Sequence, residues 1–166
     1  VDLAKSSWDC TLEDIEGKPP ALRVGLRYIR GLGKRAHESV ERAWKEGGAF
    51  TSLEDVCKRS GLRVKDLEKL ASVGAFETFC PGRRKALWEV LRIAHGREDP
   101  PLIKMLKQQH GEDAIKSTPD PIPEMNNLDR TVADYRTLGL SSGQHPMTYY
   151  REWLDKRNIL ACGDLE

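Results

Sequence analysis

The sequence predicts a mainly α-helical protein with two helix–tight turn–helix units, a short strand-like segment before them and a helical connector after them. Three observations predict this fold class. Apolar residues recur every three or four positions through most of residues 26–94, glycine-containing turns interrupt that spacing twice, and apolar residues alternate only near residues 7–13. Of the 166 residues, 39% are hydrophobic, 32% charged and 7% aromatic, a mixture typical of helix-rich globular proteins with a modest core.

Glycine, proline and capping residues set the boundaries of the predicted elements. Residues 7–13 alternate enough for one strand, and residues 17–20 then break regular structure. A helical period starts at Leu26 and continues beyond a turn at residues 31–33. The spacing predicts further helices over residues 34–46, 53–59, 64–73, 81–95, 102–109, 127–137 and 146–156.

The region after the helical pairs is predicted to be a connector. Prolines at 119, 121 and 123 remove backbone donors, so residues 117–123 are expected to be extended. Residues 126–156 contain enough apolar side chains to form two helices that pack on each other or back against the helical pairs. The predicted division of the chain is a lead-in at 1–22, a tandem helical domain at 23–97, a linker at 98–125 and a helical connector at 126–166.

Charge is distributed unevenly along the chain. The formal net charge is only +1, but residues 23–97 contain 17 basic and 9 acidic side chains, whereas both flanking regions are acidic. A basic module between acidic flanks favours a polyanionic partner for the middle of the chain. An apolar run of about 18 residues, which a membrane helix needs, does not occur, so a membrane-spanning role is not expected.

The two turns between paired helices are the candidate binding sites. Two glycines around one apolar residue allow a tight turn, and the helix that follows directly adds unpaired N–H groups and its positive dipole end. Such a concavity suits an anion. The first turn supplies Arg30, Gly31, Leu32, Gly33, Lys34 and Arg35, and the second supplies Lys58, Ser60, Gly61, Leu62, Arg63 and Lys65.

This pair of turns resembles a tandem helix-hairpin-helix domain. The resemblance extends to bacterial error-prone DNA polymerases, C-family enzymes related to the alpha subunit of DNA polymerase III. It is carried by these segments, in this order: WDCTLE at 8–13, ALRVGLR at 21–27, GLG at 31–33, GAF at 74–76, RRKALW at 83–88, PEM at 123–125, DYR at 134–136, LGL at 138–140 and GQHPM at 143–147.

The resemblance implies that main-chain N–H groups of both turns bind phosphates of duplex DNA without sequence preference. It also implies a cytoplasmic parent protein with nucleotidyltransferase activity in damage-tolerant synthesis, an OB-fold domain beyond the connector, and partners among other polymerase domains and a mutagenesis or repair complex. Three positions depart from the family pattern. His37 replaces a small residue, the second turn has one glycine instead of two, and QQHG at 108–111 does not match a clamp-binding peptide.

Other conspicuous side chains have simpler roles. The four histidines and four cysteines lack metal-ligand spacing, and scattered thiols are typical of a cytoplasmic protein. Acid pairs such as Asp66 with Glu68 are interpreted as helix-start or exposed features, most of the four tryptophans as core residues, and Cys57 as buried. We therefore expect no catalytic residue, metal or cofactor within this chain, which starts with Val1 and is interpreted as a piece of a longer protein.

Two other functions remain as alternatives. A helix-hairpin-helix pair can be a protein–protein interaction module of a repair complex. Exposed apolar residues at the turns, in place of the basic ones, would favour that alternative. A base-excision glycosylase also uses this hairpin, but it needs a catalytic Asp in a larger helical fold than this chain provides.

Overall fold

The computed structural model describes residues 1–95, 105 and 122–164, and its architecture is mainly helical, as predicted. Two short strands are followed by four helices, and two more helices come after the second gap. The elements are β1 (Thr11–Glu13), β2 (Ala21–Arg23), α1 (Lys34–Gly47), α2 (Leu53–Arg59), α3 (Val64–Ser72), α4 (Arg83–Ala94), α5 (Asn127–Thr137) and α6 (Arg151–Asp155), with 3₁₀ turns at Leu26–Tyr28, Pro146–Tyr149 and Cys162–Asp164. Apart from residue 105, the helix predicted for residues 102–109 lies outside the described residues, as does most of the proline stretch.

The N-terminal lead forms a two-stranded antiparallel ribbon, not the single strand that was predicted. Leu12 pairs with Leu22, and both side chains are exposed. The chain before the ribbon packs against the helices: Leu3 is only 2% exposed, and its N–H donates to the carbonyl of Ala75. Residues 21–23 were missed as a strand because three residues are too short for an alternating pattern to be visible.

The core is built mainly from small and branched residues on the inner faces of the helices. Ala36, Val40 and Ala43 recur on one face of α1, and the largest fully buried side chain is Phe76, in the turn after α3. Helix α3 packs against α4, and α2 also contacts α4. Small side chains allow the helices to approach closely, which brings the two turns of the tandem units to one side of the core.

The element that precedes the first turn is shorter than predicted. A single 3₁₀ turn, Leu26–Tyr28, replaces the expected helix, and Leu26 and Ile29 anchor it in the core. The helix predicted over residues 34–46 is present as α1, and Gly48, with a positive φ of 71°, follows its end. Ser52 caps α2 by accepting a hydrogen bond from the N–H of Asp55.

The prediction that most tryptophans are core residues is wrong. Trp44, Trp88 and Trp153 are 40%, 51% and 52% exposed. Trp44 directly follows the buried Ala43, and a step of one residue turns a side chain about 100° around a helix, away from the inner face. Trp8 is half-buried, with its ring stacked on that of His37 at a centroid distance of 5.1 Å.

The connector packs against the helical pairs and against its own second half. Helix α5 contacts α3, and the hydroxyl of Tyr149 lies 3.0 Å from that of Thr131 on α5. Asn126 caps α5 by accepting a hydrogen bond from the N–H of Asp129. The helix predicted for 146–156 is divided into a 3₁₀ turn and α6. In the described part of the chain, no helix is long and apolar enough to cross a membrane.

Candidate nucleic-acid interface

The two turns have the same backbone conformation. Gly31 and Gly61 occupy equivalent positions, with φ values of 73° and 62°. Two residues later, Gly33 and Arg63 are both extended, with φ and ψ of −77° and 159° in the first turn and −71° and 151° in the second. An extended backbone suits any residue, so the absence of a second glycine leaves the geometry of the second turn unchanged.

Each turn presents free main-chain donors at the start of a helix. The N–H of Leu32 donates to Ile29 within the first turn, and that of Leu62 donates to the hydroxyl of Ser60 in the second. Helices α1 and α3 begin one residue after Gly33 and Arg63, so their first N–H groups have no helical acceptor. Within residues 1–95, the N–H groups of 33–35 and 63–65 have no hydrogen-bond acceptor.

The starts of α1 and α3 border one open groove of about 470 Å³. We call this concavity the hairpin groove. It is lined by Gly33, Lys34, Arg35, Ala36, Ser39, Gly61, Leu62, Arg63 and Asp66. Lys34, Arg35 and Arg63 are exposed, whereas Asp66 is 2% exposed, so the solvent-facing charge of the groove is positive. Positive side chains, free N–H groups and two helix N-termini together favour an anionic ligand.

The structure gathers six of the predicted site residues around this groove and separates the others. Gly33, Lys34, Arg35, Gly61, Leu62 and Arg63 line it. Gly31 supplies the positive φ of the first turn, and Lys65 is exposed in the first helical turn of α3.

Four predicted site residues have other structural environments. Leu32 and Ser60 are buried, at 7% and 2% exposure, so their side chains support the turns from inside. Lys58 forms an ion pair with Glu54 at 2.7 Å. Arg30 is directed towards α5, where its main-chain N–H donates to the carbonyl of Thr137 and its guanidinium lies 3.5 Å from the carbonyl of Arg136.

Sequence reasoning missed two residues that connect the turns. Asp66 accepts hydrogen bonds from Arg63 Nε at 3.0 Å and from Lys69 Nζ at 3.3 Å. The same Lys69 ammonium donates to the carbonyl of Gly31 at 2.5 Å. Asp66 lies in the first turn of α3, in line with a helix-start acid, but its side chain is buried. The spacing of Arg63, Asp66 and Lys69 at three-residue intervals was the available signal, because such residues are neighbours on a helix.

His37 packs between an aromatic ring and a carboxylate. Its ring stacks on Trp8, and Nε2 lies 3.2 Å from Glu41. Nδ1 is buried and has no hydrogen-bond partner among the described residues. Across the described ranges, no group of three or more histidine, cysteine and acidic residues could hold a metal ion.

A family model described as a helix-hairpin-helix motif matches residues 1–86, more than half of the chain. The chain therefore belongs to the helix-hairpin-helix family. It is also 35% identical over 165 residues to an error-prone DNA polymerase of Alkalilimnicola ehrlichii, and 34% identical to enzymes of the same name from Pseudomonas fluorescens and Mesorhizobium japonicum. Each alignment includes 99% of this chain. The resemblance predicted from the motifs is confirmed, and the chain spans about 15% of the length of these relatives.

Proposed function

We propose that this chain is the part of a longer error-prone DNA polymerase that binds the backbone of duplex DNA without sequence preference. The observation that carries the proposal is the hairpin groove, where two backbone-equivalent turns present N–H groups 33–35 and 63–65 between exposed cations. Phosphate oxygens are the anions that duplex DNA presents at regular intervals, and contacts to them position a protein without reading sequence.

The residues at the two turns favour DNA over a protein as the partner of the hairpin groove. Both turns keep their basic residues, and the described residues around the groove include Lys34 and Arg35, which form no ion pair with a described carboxylate. An interaction module would need an apolar patch at the turns, but Leu32 is buried there and Leu62 is half-buried. We further propose that the parent enzyme carries out damage-tolerant synthesis with other polymerase domains and a mutagenesis or repair complex as partners.

The test is a titration of fluorescein-labelled duplex DNA by anisotropy at several KCl concentrations, with two unrelated sequences of equal length. We expect the logarithm of the binding constant to fall with the logarithm of salt concentration with a slope of about −3 to −6, which corresponds to about four to six neutralised phosphates. The two sequences should bind equally. Absence of binding at about 50 mM salt, or a strong preference for one sequence, would overturn the proposal.

A pair of double variants locates the binding site. Lys34→Gln with Arg35→Gln removes two charges at the start of α1, and we expect the salt slope to become shallower by about 2. The control, Arg42→Gln with Lys45→Gln, removes two exposed charges from the same helix, about 12–15 Å farther along its axis. The control should keep the parent slope. Equal losses in both double variants would indicate that general charge, not the groove, attracts DNA.

A further inference from the structure

Lys69 connects the two turns through a pair of polar contacts. Its ammonium lies 2.5 Å from the carbonyl oxygen of Gly31 in the first turn and 3.3 Å from Asp66 Oδ1 on its own helix α3. We propose that Lys69 and Asp66 fix the spacing of the two turns, so that both sets of N–H groups bind phosphates of one DNA duplex as a single unit. This inference rests on the proposed function and assigns Lys69 a positioning role.

The contacts of Lys69 argue against a direct role in phosphate binding. An ammonium has three donors, and two of them already point to Gly31 and Asp66. The side chain of Lys69 is 33% exposed, and the adjacent carboxylate neutralises its charge. Lys69 is also absent from the residues that line the hairpin groove. Only one donor of this ammonium is left for a phosphate, so we assign its main role to the contacts with Gly31 and Asp66.

Asp66 also orients a cation of the second turn. Its Oδ2 accepts a hydrogen bond from Arg63 Nε at 3.0 Å, while 82% of the Arg63 side chain is exposed. The two terminal nitrogens of Arg63 have no acceptor among the described residues, so they remain available to a ligand in the groove. Arg63 and Lys69 both pair with the Asp66 carboxylate, so its negative charge is offset and contributes little repulsion toward DNA.

A fixed spacing raises the affinity of a two-point contact. Once one turn has bound a phosphate, a rigid connection holds the second turn near the next contact, and less freedom is lost when it binds. If the two turns moved independently, affinity would be lower, although each turn would still bind the same phosphates. The coupling therefore predicts a loss of affinity with no change in the number of counterions released.

Lys69→Met tests this signature in the anisotropy titration. We expect DNA affinity to fall about tenfold while the salt slope stays within about 0.5 of the parent value. Lys34→Gln, which removes a cation of the groove itself, should make the slope shallower by about 1. Lys69→Arg keeps a cation that can reach both acceptors and should restore affinity to within about threefold of the parent.

A double-mutant cycle gives a second readout that a general loss of stability would not produce. In a background where Lys65→Gln weakens the second turn and Arg63 still pairs with Asp66, Lys69→Met should reduce affinity less than it does in the parent, because the second turn contributes less to binding. Lys69→Gln, whose side chain is too short to reach Gly31, replaces Lys69→Met if that variant does not fold, as judged by circular dichroism. Both are measured at a temperature where the folded signal is complete.

Failure of the inference differs from failure of the proposed function. If the parent chain does not bind duplex DNA, the proposed function is wrong. If the parent binds and Lys69→Met binds equally well, or the salt slope of Lys69→Met is shallower by about 1, the positioning role is overturned. Full additivity in the cycle would overturn it as well.

Discussion

Arg83 and Asp134 form a buried ion pair that joins α4 to α5, with Nη1 of the arginine 2.6 Å from Oδ1 of the aspartate. Their side chains are only 15% and 8% exposed. The arginine also lies 3.2 Å from the carbonyl of Ser72 at the end of α3, and Ser141 donates a hydrogen bond to the other carboxylate oxygen of Asp134. The connector is thus attached to the helical pairs by a polar network that satisfies both charges.

Removing one partner of this pair should strongly destabilise the protein. Asp134→Ala leaves the Arg83 guanidinium buried without its carboxylate, and we expect the free energy of unfolding to fall by about 3–5 kcal/mol. Urea unfolding followed by circular dichroism measures the change. The double variant Arg83→Met with Asp134→Leu removes both charges, and its free energy of unfolding should fall much less than that of Asp134→Ala. A single-variant loss below about 1 kcal/mol would contradict a buried, unscreened pair.

The connector shows which features of the fold a sequence pattern can predict. Helix α5 was predicted because the cap and the apolar spacing are local, and it ends at Thr137 as expected. The partner of Asp134 is 51 residues away in the chain, and no local pattern identifies it. A lone acid within a helix is usually an exposed residue, so its burial depends on tertiary contacts that periodicity does not encode.

The glycines of the two turns should differ in their tolerance of a side chain. Gly31→Ala and Gly61→Ala each place a β-carbon on a backbone with positive φ, and we expect each to lower the free energy of unfolding by about 1–2 kcal/mol. Gly33→Ala is the matched control, because Gly33 is extended and an added β-carbon would meet no atom within 4 Å. Thermal unfolding of the three variants measures the difference.

Gly33→Ala also tests how closely phosphate approaches the first turn. The second turn has Arg63 at the equivalent position and still leaves its N–H groups free, so we expect DNA affinity within about threefold of the parent. A tenfold or greater loss of DNA affinity with an unchanged melting temperature would show that phosphate contacts the first turn too closely to allow a β-carbon at residue 33.

The candidate site, like the connector, could be predicted from the sequence only where its features depend on neighbouring residues. Both turns were located correctly because glycine and the helix start are adjacent in sequence, and the backbone there follows from local preferences. The contact between Lys69 and Gly31 was not predictable, since it depends on how two distant turns pack together. Lys58 and Ser60 were assigned to the site by proximity in sequence alone, but the direction of a side chain on its helix decides what it faces.

Cys57 is half-buried, not fully buried as predicted, and should react slowly in the folded protein. Burial raises the pKa of its thiol to about 11, and the nearby charge of Glu54 adds to that rise. At pH 8 only about one thiol in a thousand would then be the reactive thiolate. Iodoacetamide labelling followed by mass spectrometry should modify Cys57 at least about tenfold more slowly than the exposed Cys162. In guanidinium chloride the two rates should converge, and similar rates in the native protein would contradict the effect of burial.

Two lysines beside the second turn should contribute unequally to DNA binding. Lys58 lies in the last turn of α2 and forms an ion pair with Glu54 at 2.7 Å. The hydrogen bond from this lysine lowers the pKa of the Glu54 carboxyl. The carboxylate therefore stays ionised at neutral pH and offsets the lysine charge. Lys65 lies in the first turn of α3, is exposed and forms no ion pair with a described carboxylate. Its N–H group is one of the free donors of the second turn.

We therefore expect Lys65→Gln to make the salt slope of DNA binding shallower by about 1, while Lys58→Gln leaves it within about 0.5 of the parent value. Each substitution removes one exposed charge, so a general electrostatic attraction would affect both variants equally. Glu54→Gln provides the complementary measurement, because it frees the Lys58 ammonium and should increase affinity if that ammonium can reach DNA. A shallower slope for Lys58→Gln than for Lys65→Gln would place the bound DNA over the end of α2 instead of over the start of α3.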